Sequence, residues 1–194
     1  YCRINNCIDS SGFNLHRQND TKNRLIITGV AHVAYYHGYD RLIDGLAIYY
    51  QQHQTRDVDF WIVGNCDPNL KLEERVRNYH LDKHVKFLGF KTGNELDIVF
   101  DETDIGVDCL GLSRRGINIT DSLKSKEYLA RGIPYIVCGK SGFDTQNLDF
   151  VFEVENQEGP ININTIIQKY DSMSSSPEEI NRFAKQQFDW SLQM

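Results

Sequence analysis

Short runs of uninterrupted apolar residues, each followed by a stretch of helical periodicity, leave this chain few ways to fold. Leu25-Ile26-Ile27-Thr28-Gly29-Val30, Phe60-Trp61-Ile62-Val63-Gly64, Val85-Lys86-Phe87-Leu88-Gly89, Asp104 through Leu110, the run ending at Val137, and Asp149 through Val154 read as strands. They lack the polar alternation of a half-exposed strand, so they suit a sheet covered on both faces. After the first, Tyr39, Leu42, Ile43, Leu46, Ala47 and Tyr50 recur at the spacing of one helix face, with Asp40, Arg41, Asp44 and Gln51 elsewhere on the wheel. Asp67-Pro68-Asn69 opens a second helix, with Leu72, Val76 and Tyr79 toward the core. Leu96, Val99 and Phe100 mark a shorter one, and Ile163, Ile166, Ile167 and Tyr170 another. Ser176 is a good N-cap, with Pro177 at the first helical position, for the last helix.

This alternation predicts an α/β fold: a doubly wound, mostly parallel, Rossmann-like sheet of about six strands with helices on both faces. Ligands of such sheets bind beyond the carboxyl ends of the strands, where the strand order reverses. That nominates Ala31 to Gly38, Gly64 to Asp67, Gly89 to Thr92, Leu110 to Ser122 and Gly139 to Gly142. Residues 1–23 are polar and rich in turn formers (Asn5-Asn6, Ser10-Ser11-Gly12, Asn19-Asp20) and read as a linker into the domain. The Rossmann-like domain is expected over 24–175 and a C-terminal helix over 176–194.

Composition narrows the function classes. The net charge of −6 and the absence of a dense Lys/Arg run argue against a nucleic-acid partner. No apolar stretch reaches the ~20 residues of a membrane span, and the start, Tyr1, has no secretory pattern. A chain opening on Tyr rather than Met is expected to be a fragment or a processed product. Cys2, Cys7, Cys66, Cys109 and Cys138 are odd in number and irregularly spaced, as in a cytoplasmic protein without disulfides. Asp57-Val58-Asp59 resembles a metal-binding Asp-x-Asp, but it precedes its strand, at the end opposite the ligand edge. His80 and His84 straddle a turn, and Gly64-Asn65-Cys66-Asp67 lacks dinucleotide-binding spacing. The Asp101-Glu102-Thr103-Asp104 cluster reads as a solvated turn. No metal is expected.

The most informative segment is Leu123-Lys124-Ser125-Lys126-Glu127-Tyr128-Leu129-Ala130-Arg131-Gly132-Ile133-Pro134. A short helix carries Glu127 at its middle and Lys124 three residues earlier, then stops at a Gly and leads into a strand. A helix N-terminus at a sheet edge offers amides to phosphate, and a carboxylate on the same helix can hold sugar hydroxyls. The segment resembles the Leu-Lys-x-x-Glu-Tyr-Leu-Ala-x-Gly-x-Pro stretch in the C-terminal domain of GT-B glycosyltransferases, particularly GT4-like retaining enzymes. Val63-Gly64-Asn65 is similar to the turn ending that domain's second strand. Val85-Lys86-Phe87-Leu88-Gly89-Phe90 resembles the Val-x-Phe-x-Gly segment beside the nucleobase, and Phe183 to Trp190 the family's terminal helix. Tyr36-His37-Gly38-Tyr39-Asp40-Arg41-Leu42-Ile43 resembles a subset acting on bacterial surface polysaccharides.

The resemblance runs from about residue 25 to the end and implies the C-terminal half of a GT-B fold. It implies a donor that is a nucleotide-diphosphate sugar, and transfer to a glycan or lipid-linked acceptor held by an N-terminal domain outside this chain. The fragment alone is then expected to be inactive. A cytoplasmic location follows, with membrane association left open for a full-length protein. His32, His37, Arg41, Phe90, Arg114, Leu123, Lys124 and Glu127 are the implied nucleotide-sugar-binding residues. Glu127 would clasp the ribose through paired hydrogen bonds, and amides from Ser122 to Lys124, with Lys124 and Arg114, would face the diphosphate.

Two positions depart from the pattern. Of the usual Glu-x7-Glu pair, the first member falls at Ile119. The Arg and Lys-Gly that hold the diphosphate fall at His32 and His37-Gly38, with Arg41, Arg114 or Arg115 as substitutes. Neutral imidazole is a weaker anion partner than guanidinium or ammonium. These departures keep two alternatives open: a degenerate domain that binds nucleotide or another protein without catalysis, and a GT-B-type sugar-nucleotide epimerase. The epimerase would need further carboxylates and a histidine from both domains.

Overall fold

The computed structural model describes residues 6–15, 23–52, 54 and 56–193. Asn5, Asn19 and Asp20 of the expected linker lie outside the described residues. The apolar runs form β1 (Arg24–Val30), β2 (Asp57–Val63), β3 (Val85–Gly89), β4 (Ile105–Val107), β6 (Tyr135–Cys138) and β8 (Val151–Val154). They pair in parallel as one six-stranded sheet in the order β3-β2-β1-β4-β6-β8. A second, two-stranded parallel sheet joins β5 (Ile119–Thr120) to β7 (Lys140–Ser141), two elements too short to leave a periodic signal.

Helices cover both faces. α1 (Tyr39–Gln51), α2 (Leu72–Asn78) and α5 (Ile163–Ser172) bury Leu42, Ile43, Leu46, Val76, Ile163 and Ile166 against Leu25, Ile27, Phe60, Ile62 and Ile105. On the other face α3 (Asn94–Glu102), α4 (Leu123–Ala130) and α6 (Pro177–Phe188) bury Phe100, Tyr128, Leu129, Ile180 and Phe188 against Tyr135, Val137 and Val151. Two-sided burial is what the unbroken apolar runs demanded. Tyr79, expected on the core face of α2, instead caps its C-terminus and is exposed.

The chain winds outward from β1 through β2 to β3, then crosses back to β4 on the other flank of β1. The gap between β1 and β4 is therefore the point of reversal. Two tyrosines close it from opposite faces. Tyr128 of α4 lies over Gly106 of β4, and Tyr39 of α1 lies over Gly29 of β1. A methyl group at either glycine would fall 2.5–2.6 Å from the ring. The Tyr128 hydroxyl accepts from the Val30 amide at 3.2 Å and donates to the Val107 carbonyl at 3.1 Å, replacing ladder bonds where the strands diverge.

Three details differ from the sequence reading. β4 ends at Val107, because Asp108 to Leu110 turn away to hydrogen-bond β6 and the His37 carbonyl. Thr103 and Asp104 are buried, not a solvated turn. The Asp104 carboxylate takes the Ile26 amide at 2.7 Å, and Thr103 meets Thr28 at 2.8 Å. The lead-in segment is also partly built into the fold. Ile8 bridges to Asp189, and its amide and carbonyl bond Phe188 and Trp190. α6 opens with a capping box between Ser176 and Glu179 and packs on α4, where Asn181 donates to the Ala130 carbonyl.

Gly106→Ala is expected to lower unfolding free energy by about 1–3 kcal/mol, because the methyl must displace a buried ring. Urea titration would register it as a lower midpoint at unchanged slope. Gly12→Ala, whose added methyl meets nothing within 4 Å, should stay within about 0.5 kcal/mol of the parent.

Candidate functional site

The carboxyl edge at the β1/β4 reversal gathers the loop after β1, the loop after β4 and the start of α4. One buried carboxylate organises it. Asp108, wholly buried at the tip of β4, accepts from the Ser122 hydroxyl at 2.7 Å. Ser122 is the N-cap of α4, and its Oγ in turn accepts from the Ser125 amide at 3.1 Å. The first amides of the helix, at Leu123 and Lys124, have no hydrogen-bond acceptor among the described residues, as at a helix N-terminus. The other Asp108 oxygen lies 3.3 Å from the Lys124 ammonium. Neither atom of that pair has a hydrogen-bond partner among the described residues. The Lys124 stem is partly exposed, but its ammonium is turned inward.

Leu123, Glu127 and Arg131 share one stripe of α4 at four-residue intervals. Leu123 is exposed at the open end. Glu127 is partly exposed, with one oxygen engaged: Oε1 accepts from Arg131 Nε at 3.1 Å and from its terminal nitrogen at 3.0 Å. Oε2 remains open. Phe90, directly after β3, is 70% exposed. Arg131 also reaches Asp97 of α3 at 2.8 Å, so Glu127 sits beside the helix that follows the Phe90 loop. Ile119, where the first Glu of the pair would fall, is an exposed residue of β5.

The cations are distributed differently from the sequence expectation. The Arg114 guanidinium is almost fully enclosed and uses all of its N–H groups within the fold. Two go to the Asp40 carboxylate at 2.8 Å each, two reach Glu158 at 2.7–2.9 Å, and one donates to the Tyr35 carbonyl at 2.8 Å. This fork outweighs the burial that would raise the Asp40 carboxyl and holds it below its ordinary range. Arg41 is buried too. It donates to the carbonyls of Gly159 (2.7 Å), Glu155 (3.3 Å) and Leu110. Both arginines thus tie loops together, with these N–H groups engaged inside the fold. Arg115 differs: it is exposed and stacks over the Tyr36 ring at 4.8 Å. A run of two adjacent arginines held no signal for which would turn inward; only the positions of Asp40 and Glu158 decide it.

The two histidines after β1 part company. His32 is exposed. His37 is buried, stacked against Tyr36 at 4.4 Å, and its Nδ1 accepts from the Ala34 amide at 2.9 Å. A ring nitrogen that accepts a backbone N–H carries no proton, so the neutral ring holds its proton on Nε2. Gly38 follows with φ of +66°, and a Cβ there would meet the Leu110 carbonyl carbon at 2.6 Å. The loop is thereby pinned onto the segment after β4, where the Leu110 amide donates to the His37 carbonyl. Burial, and then the positive charge of Lys124, push the His37 pKa down to about 4.

Lys126, next to Glu127, drew no attention as a sequence position. It is fully buried, paired with Asp121 and lying over the Phe188 ring at 5.2 Å. Asp59 of the Asp-x-Asp is buried at the far end of the sheet beside Arg24 and His84. Among the described residues no group of three or more His, Cys, Asp or Glu is arranged to hold a metal. The described cysteines are free thiols, and no described helix is long and apolar enough to cross a membrane.

The buried neutral His37 makes stability depend on pH. The unfolded chain takes up its proton near pH 6.5 and the folded chain only near 4, so acid favours unfolding between those values. Stability should fall as pH drops from about 6.5 and level off near 4, by on the order of 3 kcal/mol from this group. Urea midpoints of the parent and His37→Gln, compared at pH 4.5 and 7.5, should diverge in that sense, with the variant less acid-sensitive.

The chain matches the family described as Glycosyl transferases group 1 over residues 13–188. Solved structures with the same fold include a glycosyltransferase from Rickettsia africae (17% identity, TM-score 0.67, covering 88% of this chain and 45% of that one). Sucrose-phosphate synthase from Thermosynechococcus elongatus is also similar (16% identity, TM-score 0.70, covering 96% and 48%). So is HepE from Anabaena, solved in complex with UDP (19% identity, TM-score 0.62, covering 86% and 45%). The chain spans about half the length of these structures. No curated protein matches it. Its parallel sheet, its reversal between β1 and β4, and the family match over nearly its whole length agree: the chain belongs to the glycosyl transferases group 1 family, and its fold is that of one half of a GT-B enzyme.

Proposed function

We propose that this chain is the donor-binding half of a retaining glycosyltransferase that takes a sugar from a nucleotide-diphosphate sugar. The observation that carries the reading is the capped start of α4 at the sheet reversal, with the free Oε2 of Glu127 one turn further on. A leaving diphosphate needs donors preorganised where its charge develops. The amides of Leu123 and Lys124 supply them, and the helix dipole adds to their pull. Lys124 contributes its field from behind, and Arg115 takes the role first given to Arg114. His37 offers Nε2–H as a neutral donor. Glu127 accepts a ribose hydroxyl, and Phe90 presents an apolar surface to the base. In the retaining course proposed here, the acceptor attacks the face of the donor sugar next to the departing phosphate, and no side chain of this chain serves as base.

The acceptor, a glycan or lipid-linked sugar, would be held by a second domain. That domain would lie beyond the 24–175 unit, on the side toward which the C-terminal helix region 176–194 leads. Transfer then requires residues outside this chain, and the chain by itself binds donor without turnover. No metal is needed in this reading. The alternative of a non-catalytic domain of the same type is favoured by one observation, the exposed Ile119 where a carboxylate would contact the sugar.

Calorimetric titration with UDP, GDP and their sugars tests the proposal. One of them should bind, and Glu127→Ala should weaken it roughly tenfold to a hundredfold, the equivalent of one charge-assisted hydrogen bond. No binding to the parent chain would refute the reading. Arg115→Ala should weaken nucleoside diphosphates about fivefold or more and leave the free nucleoside unaffected, as loss of a phosphate partner requires.

A further inference from the structure

Arg131 is a charged side chain buried at the C-terminal end of α4. It is 5% exposed, and its guanidinium carbon lies over two rings, 4.2 Å from the centroid of Phe100 and 4.9 Å from that of Phe13. One terminal nitrogen donates to Asp97 of α3 at 2.8 Å. Nε and the other terminal nitrogen converge on a single oxygen, Glu127 Oε1, at 3.1 and 3.0 Å. The cation therefore joins the lead-in segment, α3 and α4. The two carboxylates and the two ring contacts together restrict the orientation of its planar fork.

We propose that Arg131 is a positioning residue that sets Glu127 for a ribose. This rests on the donor-binding reading above. An unsupported Glu on a helix surface samples several rotamers and must be ordered when a ligand binds. Here two N–H groups of one guanidinium hold Oε1, which restricts the rotamers open to the side chain. Oε2 is the acceptor left for a hydroxyl. Because the same guanidinium grips Asp97, the distance from Glu127 to α3, and so to the Phe90 loop ahead of it, is set as well. Arg131 itself touches no ligand. Its effect is confined to molecules that carry a ribose.

That confinement gives the test. Affinities of the tighter-binding of UDP and GDP, of its 2′,3′-dideoxy counterpart and of pyrophosphate are measured on the full chain. The proteins are the parent, Arg131→Met, Arg131→Lys, Glu127→Gln and the double variant Arg131→Met/Glu127→Gln. Met keeps apolar packing against the two rings, and Lys keeps the charge without the fork, so one informative variant survives if the other folds poorly. The expected result is about a tenfold loss for the ribonucleotide in both Arg131 variants. Pyrophosphate and the dideoxynucleotide should stay within about twofold, and no further loss should follow when Glu127 is already Gln. Equal loss for all three ligands would make Arg131 a merely structural residue and overturn the proposal. So would an unchanged ribonucleotide affinity. If the parent binds none of the ligands, the donor-binding reading itself fails, whereas binding by the parent with insensitive Arg131 variants removes this inference alone.

Discussion

The bond between the Ser122 hydroxyl and the buried Asp108 carboxylate decides where α4 begins, and the ligand edge follows from it. Asp108 is fixed by its own backbone, whose amide donates to Ile136 of β6. The cap is therefore referenced to the sheet and not to a loop. A buried carboxylate without partners would be costly; here one oxygen accepts a hydroxyl, and the other, without a hydrogen bond among the described residues, has only the charge of the Lys124 ammonium 3.3 Å away. Through this one residue, the strand tip dictates the direction of the helix amides, the inward turn of Lys124 and the outward placement of Glu127. The tyrosines over Gly29 and Gly106 act on the same joint from below, since each occupies space that any larger strand residue would need.

Positive charge at this edge is divided by function. Arg41 and Arg114 hold backbone carbonyls and carboxylates, and they assemble the loops after β1, β4 and β8 into one surface. Burial lowers the pKa of Arg41, and the nearby Cys138 and Glu158 offset it only in part. The carboxylates of Asp40 and Glu158 raise that of Arg114. Such bidentate pairs suit rigid assembly better than ligand exchange. In the donor-binding reading proposed above, an anion would meet oriented backbone, a neutral imidazole and the exposed Arg115. Helix amides of this kind need no reorganisation when charge arrives, which in that reading would offset the missing Arg and Lys of the resembled pattern.

Much of this was legible in the sequence. The unbroken apolar runs announced a doubly covered parallel sheet, and the segment from Leu123 to Pro134 carried both the helix and the family resemblance. What the sequence concealed has one physical origin: contacts between residues far apart in the chain. Nothing local separates Arg114 from Arg115, or marks Lys126 as buried, because Asp40, Glu158 and Phe188 lie dozens of residues away. Asp104 looked solvated because its partner, the Ile26 amide, is 78 residues earlier. The two-residue strands β5 and β7 are too short for any periodicity to emerge. Nothing local shows that Arg131 engages Glu127 Oε1, so the paired ribose contact expected of Glu127 would have one oxygen, Oε2, to work with.

The seam between Ile8 and Asp189 has a kinetic meaning. Ser10 reaches the Asp189 carboxylate across 179 positions, among the longest spans in the molecule. Closing a loop of that length early is entropically unfavourable, so the seam forms once the sheet has already brought its ends near. It is correspondingly among the first contacts to open. A molecule that begins to unzip there exposes the end of α6 and the Phe188 ring over Lys126 before the central strands loosen, and the α4 region softens ahead of the sheet that carries it.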